Sequence, residues 1–150
     1  MLQRLTAFGK KFFALLTKTQ PLALLLARVT IGITFAQTGW GKLHSLDQVT
    51  EYFRSLGIPA AEIQAPFVAS VEFICGSLIL VGFATRLASF PLVGTMVVAI
   101  LTAKIQDLMT WTDLFGFIEF LYVVILVTLI TQGPGLFSLD HLFSKKMRKI

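Results

Sequence analysis

Four apolar stretches of membrane-crossing length, at about 21–43, 66–84, 87–104 and 114–132, restrict this chain more than any other feature. A hydrocarbon core of ~30 Å is crossed by roughly 20 helical residues. In lipid the backbone must satisfy its own hydrogen bonds, so spanning segments are helices or closed barrels, and these stretches lack the alternation of strands. The charged fraction of 14% agrees, since soluble domains run nearer ~25%. The predicted fold is an all-α membrane protein, a four-helix transmembrane bundle with short amphipathic interfacial helices. Pro21 and Pro66 suit the first turns of the first two spans, where an N–H is not needed. Pro91 falls near the start of the third, and Gly133-Pro134-Gly135 stops the fourth.

Orientation follows from where the cations sit. Arg4, Lys10, Lys11, Lys18, Arg86, Lys145, Lys146, Arg148 and Lys149 fall on one side of the membrane; Lys42, Arg54 and Lys104 fall on the other. The first side is expected to be cytoplasmic, with both termini there. Trp40 and Trp111 lie at the opposite boundary, where indoles settle. The basic N-terminal segment has too short an apolar run for a cleaved signal and reads as retained.

Leu2, Leu5, Phe8, Phe12 and Leu15 recur at helical spacing among cations, so residues 2–17 are expected on the membrane surface. Ser45 and Gln48 form a capping-box pattern before a second amphipathic helix at 46–56, which Gly57 and Pro59 end. This helix is expected to lid the bundle. Leu136, Phe137, Leu142 and Phe143 suggest a third surface segment. The chain therefore divides into a basic amphipathic segment at 1–18, the transmembrane domain at 19–143 and a basic tail at 144–150. The basic ends suit anionic lipid headgroups and are too short and apolar to bind nucleic acid.

Three ionisable residues fall inside the spans: Arg28, Glu72 and Glu119. Each costs ~2.5–3.5 kcal/mol on insertion scales and needs a reason to be there. The rise of ~1.5 Å per residue puts Glu72 and Glu119 at one depth in the outer half, with Lys42 above and Arg28 some ~10 Å below. Arg28, Gly32, Phe35, Gly39 and Lys42 form one helical stripe. Its glycines allow close approach of a neighbouring helix, and Gly76 shares a face with Glu72. A cluster of Lys42, Glu72 and Glu119, with Arg28 beneath and Tyr122 one turn from Glu119, is expected. The cluster either pairs internally and orders the bundle, or exchanges a proton or hydrogen-bonds a small polar ligand; snorkelling of unrelated charges is the third reading.

His44 and His141 lie outside the spans, which disfavours a bis-histidine haem, and no metal motif is present. Cys75, the single cysteine, reads as a small packing residue.

The ordered set of Arg28, Gly39-Trp40-Gly41-Lys42-Leu43, Leu56-Gly57-Ile58-Pro59, Glu72 with Gly76, Leu80-Val81-Gly82-Phe83-Ala84-Thr85-Arg86 and Gly133-Pro134-Gly135-Leu136-Phe137-Ser138-Leu139-Asp140 resembles the DoxX family of small four-helix bacterial membrane proteins. The resemblance covers roughly residues 22–143. It implies the bacterial inner membrane, and a link to quinone-dependent redox systems or to partner proteins that handle oxidants. Arg28, Lys42, Glu72, Arg86 and Asp140 match the family's recurrent polar positions, and Glu119 fits as well. Two functions follow as expectations. One is a redox-associated subunit holding a quinone near the charged cluster and working with a membrane or soluble oxidoreductase. The other is a non-catalytic scaffold or assembly factor. A small transporter or channel ranks third, since no inverted repeat or broken helix is visible. A homo-oligomer is compatible with the apolar third span, though no interface motif specifies one.

Overall fold

The computed structural model describes residues 2–147, with side chains from 17 to 145. Every element among these residues is helical: α1 (Leu2–Leu43), α2 (Leu46–Ser55), α3 (Ala61–Val81), α4 (Thr85–Ala103), α5 (Ile118–Gln132) and α6 (Leu139–Met147). Two short 3-10 turns, Ile105–Asp107 and Asp113–Gly116, join α4 to α5.

Three helical segments are long and apolar enough to cross a membrane: Thr19–Leu43 within α1, then α3 and α4. The helix corresponding to the fourth expected span, α5, has fifteen residues. The 3-10 turn at Asp113–Gly116 and the extended Phe117 occupy the part expected to be helix.

Two expected helix starts move. Pro21 lies inside α1, which continues unbroken toward the N-terminus. Pro66 is the sixth residue of α3, whose first residue is Ala61. Near a helix start a proline interrupts few backbone bonds, so it tolerates several registers and does not fix one. The surface placement expected for residues 2–17 rests mainly on side chains outside the described residues. The tail at 144–150 begins inside α6, and residues 148–150 lie outside the described residues.

Helix α1 packs along α3, and α4 along α5; contacts of α3 with α4 and of α1 with α5 complete the bundle. Ile31, Phe35, Ile79, Leu92, Leu126 and Leu129 form its centre. Because lipid offers no hydrophobic drive to bring apolar helices together, close packing must do so, and small residues permit it. A Cβ at Gly39 would stand 2.3 Å from the Phe73 nitrogen, and one at Gly76 would stand 2.5 Å from the Ala36 nitrogen. A Cβ at Gly32 would fall 2.7 Å from the Leu80 Cα. The stripe Arg28, Gly32, Phe35, Gly39 is buried as its spacing predicts. Tight α1–α3 packing at these glycines fixes Lys42 against Glu72.

The short helix α2 lies over the end of α3. Its expected capping box does not form. The Ser45 hydroxyl instead donates back to the Gly41 carbonyl (2.9 Å) in the last turn of α1, which ends two residues earlier. The predicted stop holds: Gly57 at φ +72 donates to the Arg54 carbonyl, and Ile58 donates to that of Phe53.

Candidate functional site

The polar residues of the bundle separate into two groups at opposite ends. Arg28 and Lys42 are fourteen residues apart on α1, about 21 Å along the axis. They belong to different sites.

At the α6 end Arg28 is 3% exposed. Its Nη1 donates to the Pro134 carbonyl at 2.9 Å and its Nη2 to the Phe137 carbonyl. Gly82, at φ +74, lies against the guanidinium: a Cβ there would sit 2.6 Å from Nη1. Asp140 accepts from the backbone amides of Ala84 (2.8 Å) and Thr85 (3.2 Å), while its own amide donates to the Gly82 carbonyl (3.0 Å). This caps the first turn of α4 from a distant segment, satisfying amides that Ala84, a residue without a side-chain acceptor, leaves open. Arg86 donates to the Thr131 carbonyl at 3.2 Å. Arg28, Arg86 and Asp140 therefore tie the segment after α5 to α1 and to the α3–α4 turn. Arg28 was expected beneath the carboxylates; the structure assigns it to this tie.

At the α2 end Lys42 and Glu72 meet, and Glu119 and Tyr122 line the same cavity. Lys42 Nζ donates to Glu72 Oε1 at 2.6 Å. Glu72 is buried, whereas the Lys42 side chain keeps 32% exposure. The second oxygen of Glu72 and Oε2 of Glu119 are buried without a hydrogen-bond partner. Both residues, with Lys42 and Tyr122, line a cavity of about 930 Å³ bounded by α1, α2, α3, α4 and α5. The Tyr122 ring packs edge-on against Phe35, centroids 5.6 Å apart. Apolar and aromatic side chains form most of the wall, and Tyr52 and Phe53 of α2, with Leu56 just after it, close it from above.

Several lining residues escaped the sequence reading. Thr34, Thr38, Thr95 and Thr102 face the cavity, each hydroxyl donating to a carbonyl three or four residues earlier in its own helix. That bond hides a threonine in an apolar helix, so the available signal was their recurrence at helical spacing. Lys104, expected at the boundary, also lines the cavity and pairs with Asp107 at 3.7 Å.

Beyond the bundle, Arg54 of α2 bonds Glu62 through Nε at 3.1 Å, which raises the already high pKa of its guanidinium. Among the described residues no group of three His, Cys, Asp or Glu side chains is placed to hold a metal ion.

The arrangement offers a mostly apolar chamber with one ion pair and two acceptor oxygens lacking partners. Such a chamber suits a small amphipathic molecule carrying hydroxyl or amine donors.

The sequence profile of the DoxX family matches residues 23–105. An uncharacterized membrane protein of Mycobacterium tuberculosis, Rv3486, is 33% identical, the alignment covering 84% of either chain. The inner membrane protein YqjF of Escherichia coli is 31% identical over 86% of this chain and 98% of its own. A Bacillus subtilis protein named "Putative oxidoreductase CatD" is 30% identical over 83% of this chain and 90% of its own. No solved structure matches. Profile and relatives agree, and the chain belongs to the DoxX family of membrane proteins.

Proposed function

We propose that the protein is a quinone-interacting membrane subunit of a bacterial redox system. The carrying observation is that Glu72 and Glu119 line one apolar cavity and each keeps a buried oxygen without a partner. A free carboxylate oxygen accepts hydrogen bonds, and leaving it buried and unpaired is costly. The hydroxyls of a quinol head group supply the matching donors. Lys42 holds Glu72 in place, and Tyr122 with Phe35 offers aromatic surface to a ring. The volume, about 930 Å³, accommodates a ring with part of a tail. CatD is named for an oxidoreductase, which agrees with this reading.

In this proposal α5, extended by the 3-10 turn before it, completes a fourth crossing. The cation distribution supports an orientation in the bacterial inner membrane with both termini in the cytoplasm and the α2 end outside. Electrons reach or leave the ligand through a membrane or soluble oxidoreductase partner.

The test is lipid extraction with mass spectrometry on gently purified protein. A near-stoichiometric quinone that disappears in Glu72→Gln and Lys42→Ala is expected. Protein carrying phospholipid alone would reject the proposal and favour the scaffold reading, in which the ion pair orders the helices and α2 and α6 recruit partners.

A further inference from the structure

The cavity wall is not continuous. On α4 the side exposed beyond the bundle carries Leu87, Phe90, Pro91, Gly94, Val98 and Leu101. Of these Pro91, Gly94 and Val98 also line the cavity. On α3 the exposed stripe is Ile63, Phe67, Ile74 and Val81, spaced by four and seven residues, and Phe67 likewise lines the cavity. Residues that belong both to the outer stripe and to the inner wall mark an opening. It lies between α3 and α4, whose packing is looser than that of α1 on α3. Gly94 sits in it without a side chain, and a Cβ built there meets nothing within 4 Å.

We infer that this slot is a lateral portal, through which the ligand enters from the bilayer and in which a long hydrocarbon tail rests while the head group sits at Lys42, Glu72 and Glu119. This inference rests on the reading of the cavity as a quinone site and extends it to the ligand's second half. The slot edge is apolar on both helices, with exposed Phe67 on α3 and exposed Val98 on α4 both lining the cavity. Its outside face would meet lipid tails. A water-soluble ligand gains nothing from such an opening; a molecule dissolved in the membrane needs it. The polar cluster lies in the same cavity that the slot opens into, so a bound molecule touches polar and apolar surfaces at once.

The test uses nanodisc-reconstituted full-length protein and two probes, a benzoquinol with a long isoprenoid tail and the same ring without the tail. Gly94→Trp places a large side chain in the slot from a position whose Cβ meets nothing within 4 Å. Val98→Trp narrows it from the same helix and serves if the first variant fails to fold, as judged by monodispersity and thermal unfolding. The expected result is that wild type binds the tailed probe at least about tenfold more tightly than the ring alone. Either tryptophan removes that advantage. Equal binding of both probes to wild type, or an undiminished advantage in both tryptophan variants, overturns the portal and leaves the head-group site standing. Failure of wild type to bind either probe overturns the quinone reading beneath it.

Discussion

Lys42 and Glu72 meet across the α1–α3 interface at 2.6 Å, the lysine side chain 32% exposed and the glutamate side chain 2%. The pair is therefore unequal. Lys42 can turn to water if its partner is lost, and Glu72 cannot. Lys42→Met is expected to cost about 2–3 kcal/mol, somewhat below the range for fully buried pairs. Glu72→Gln should cost less, since the amide oxygen still accepts. The double variant should be milder than the sum by more than ~0.5 kcal/mol. Equilibrium unfolding of the four proteins in one detergent reads this directly, and additive losses would contradict it.

The helix contact at Gly39 and Gly76 leaves no room for a side chain. Gly76→Val forces α1 from α3 and is expected to lower stability by about 1–3 kcal/mol or more. Gly94→Ala, made in open space within a helix, is expected to raise it by up to ~1 kcal/mol through helix propensity. Opposite shifts of thermal midpoint between the two are the signature.

Asp140→Ala removes the acceptor for the Ala84 and Thr85 amides and should cost about 0.5–2 kcal/mol. Faster hydrogen exchange at those two amides localises the loss. Quinone content should not change, because the tie and the cavity lie at opposite ends.

Arg28→Lys keeps the charge but loses the fork that reaches two carbonyls. A lysine cannot satisfy both Pro134 and Phe137, and a loss of about 1–3 kcal/mol is expected. Protease cleavage after α5 should quicken. Arg28→Lys as stable as wild type would mean the second carbonyl contributes nothing.

The Arg54–Glu62 pair behaves differently. Both side chains are mostly exposed, and such pairs contribute little. Glu62 raises the pKa of Arg54, whose guanidinium is charged throughout the neutral range either way. Arg54→Gln should leave the pH profile of stability flat and the thermal midpoint unmoved.

The buried stripe of α1 was legible because period and residue size coincide: Gly32 and Gly39 recur with Arg28, Phe35 and Lys42 on one face. Glu72 and Glu119 were legible because a charge inside an apolar run is conspicuous. Rise per residue then placed them at one end. The role of Arg28 was not legible, since its partners are the carbonyls of Pro134 and Phe137, and a carbonyl leaves no mark on sequence. The Ser45 cap misled because its hydroxyl sits between two helix ends, the carbonyls closing α1 and the amides opening α2, and pattern alone does not rank them. The threonines of the cavity wall were hidden by bonds to their own helices. The slot at Gly94 emerged once α3 and α4 were set side by side.

The cap that Asp140 provides has a consequence for the order in which the molecule can be finished. The amides of Ala84 and Thr85 are made more than fifty residues before their acceptor. While the chain is still being synthesised, the beginning of α4 has no partner from this segment, and Arg28 has no carbonyls to hold. The last segment to emerge, from Pro134 to Asp140, thus ties α1 to the beginning of α4. A ribosome that stops short of residue 140 releases α1 to α5 without the latch, and the beginning of α4 stays uncapped.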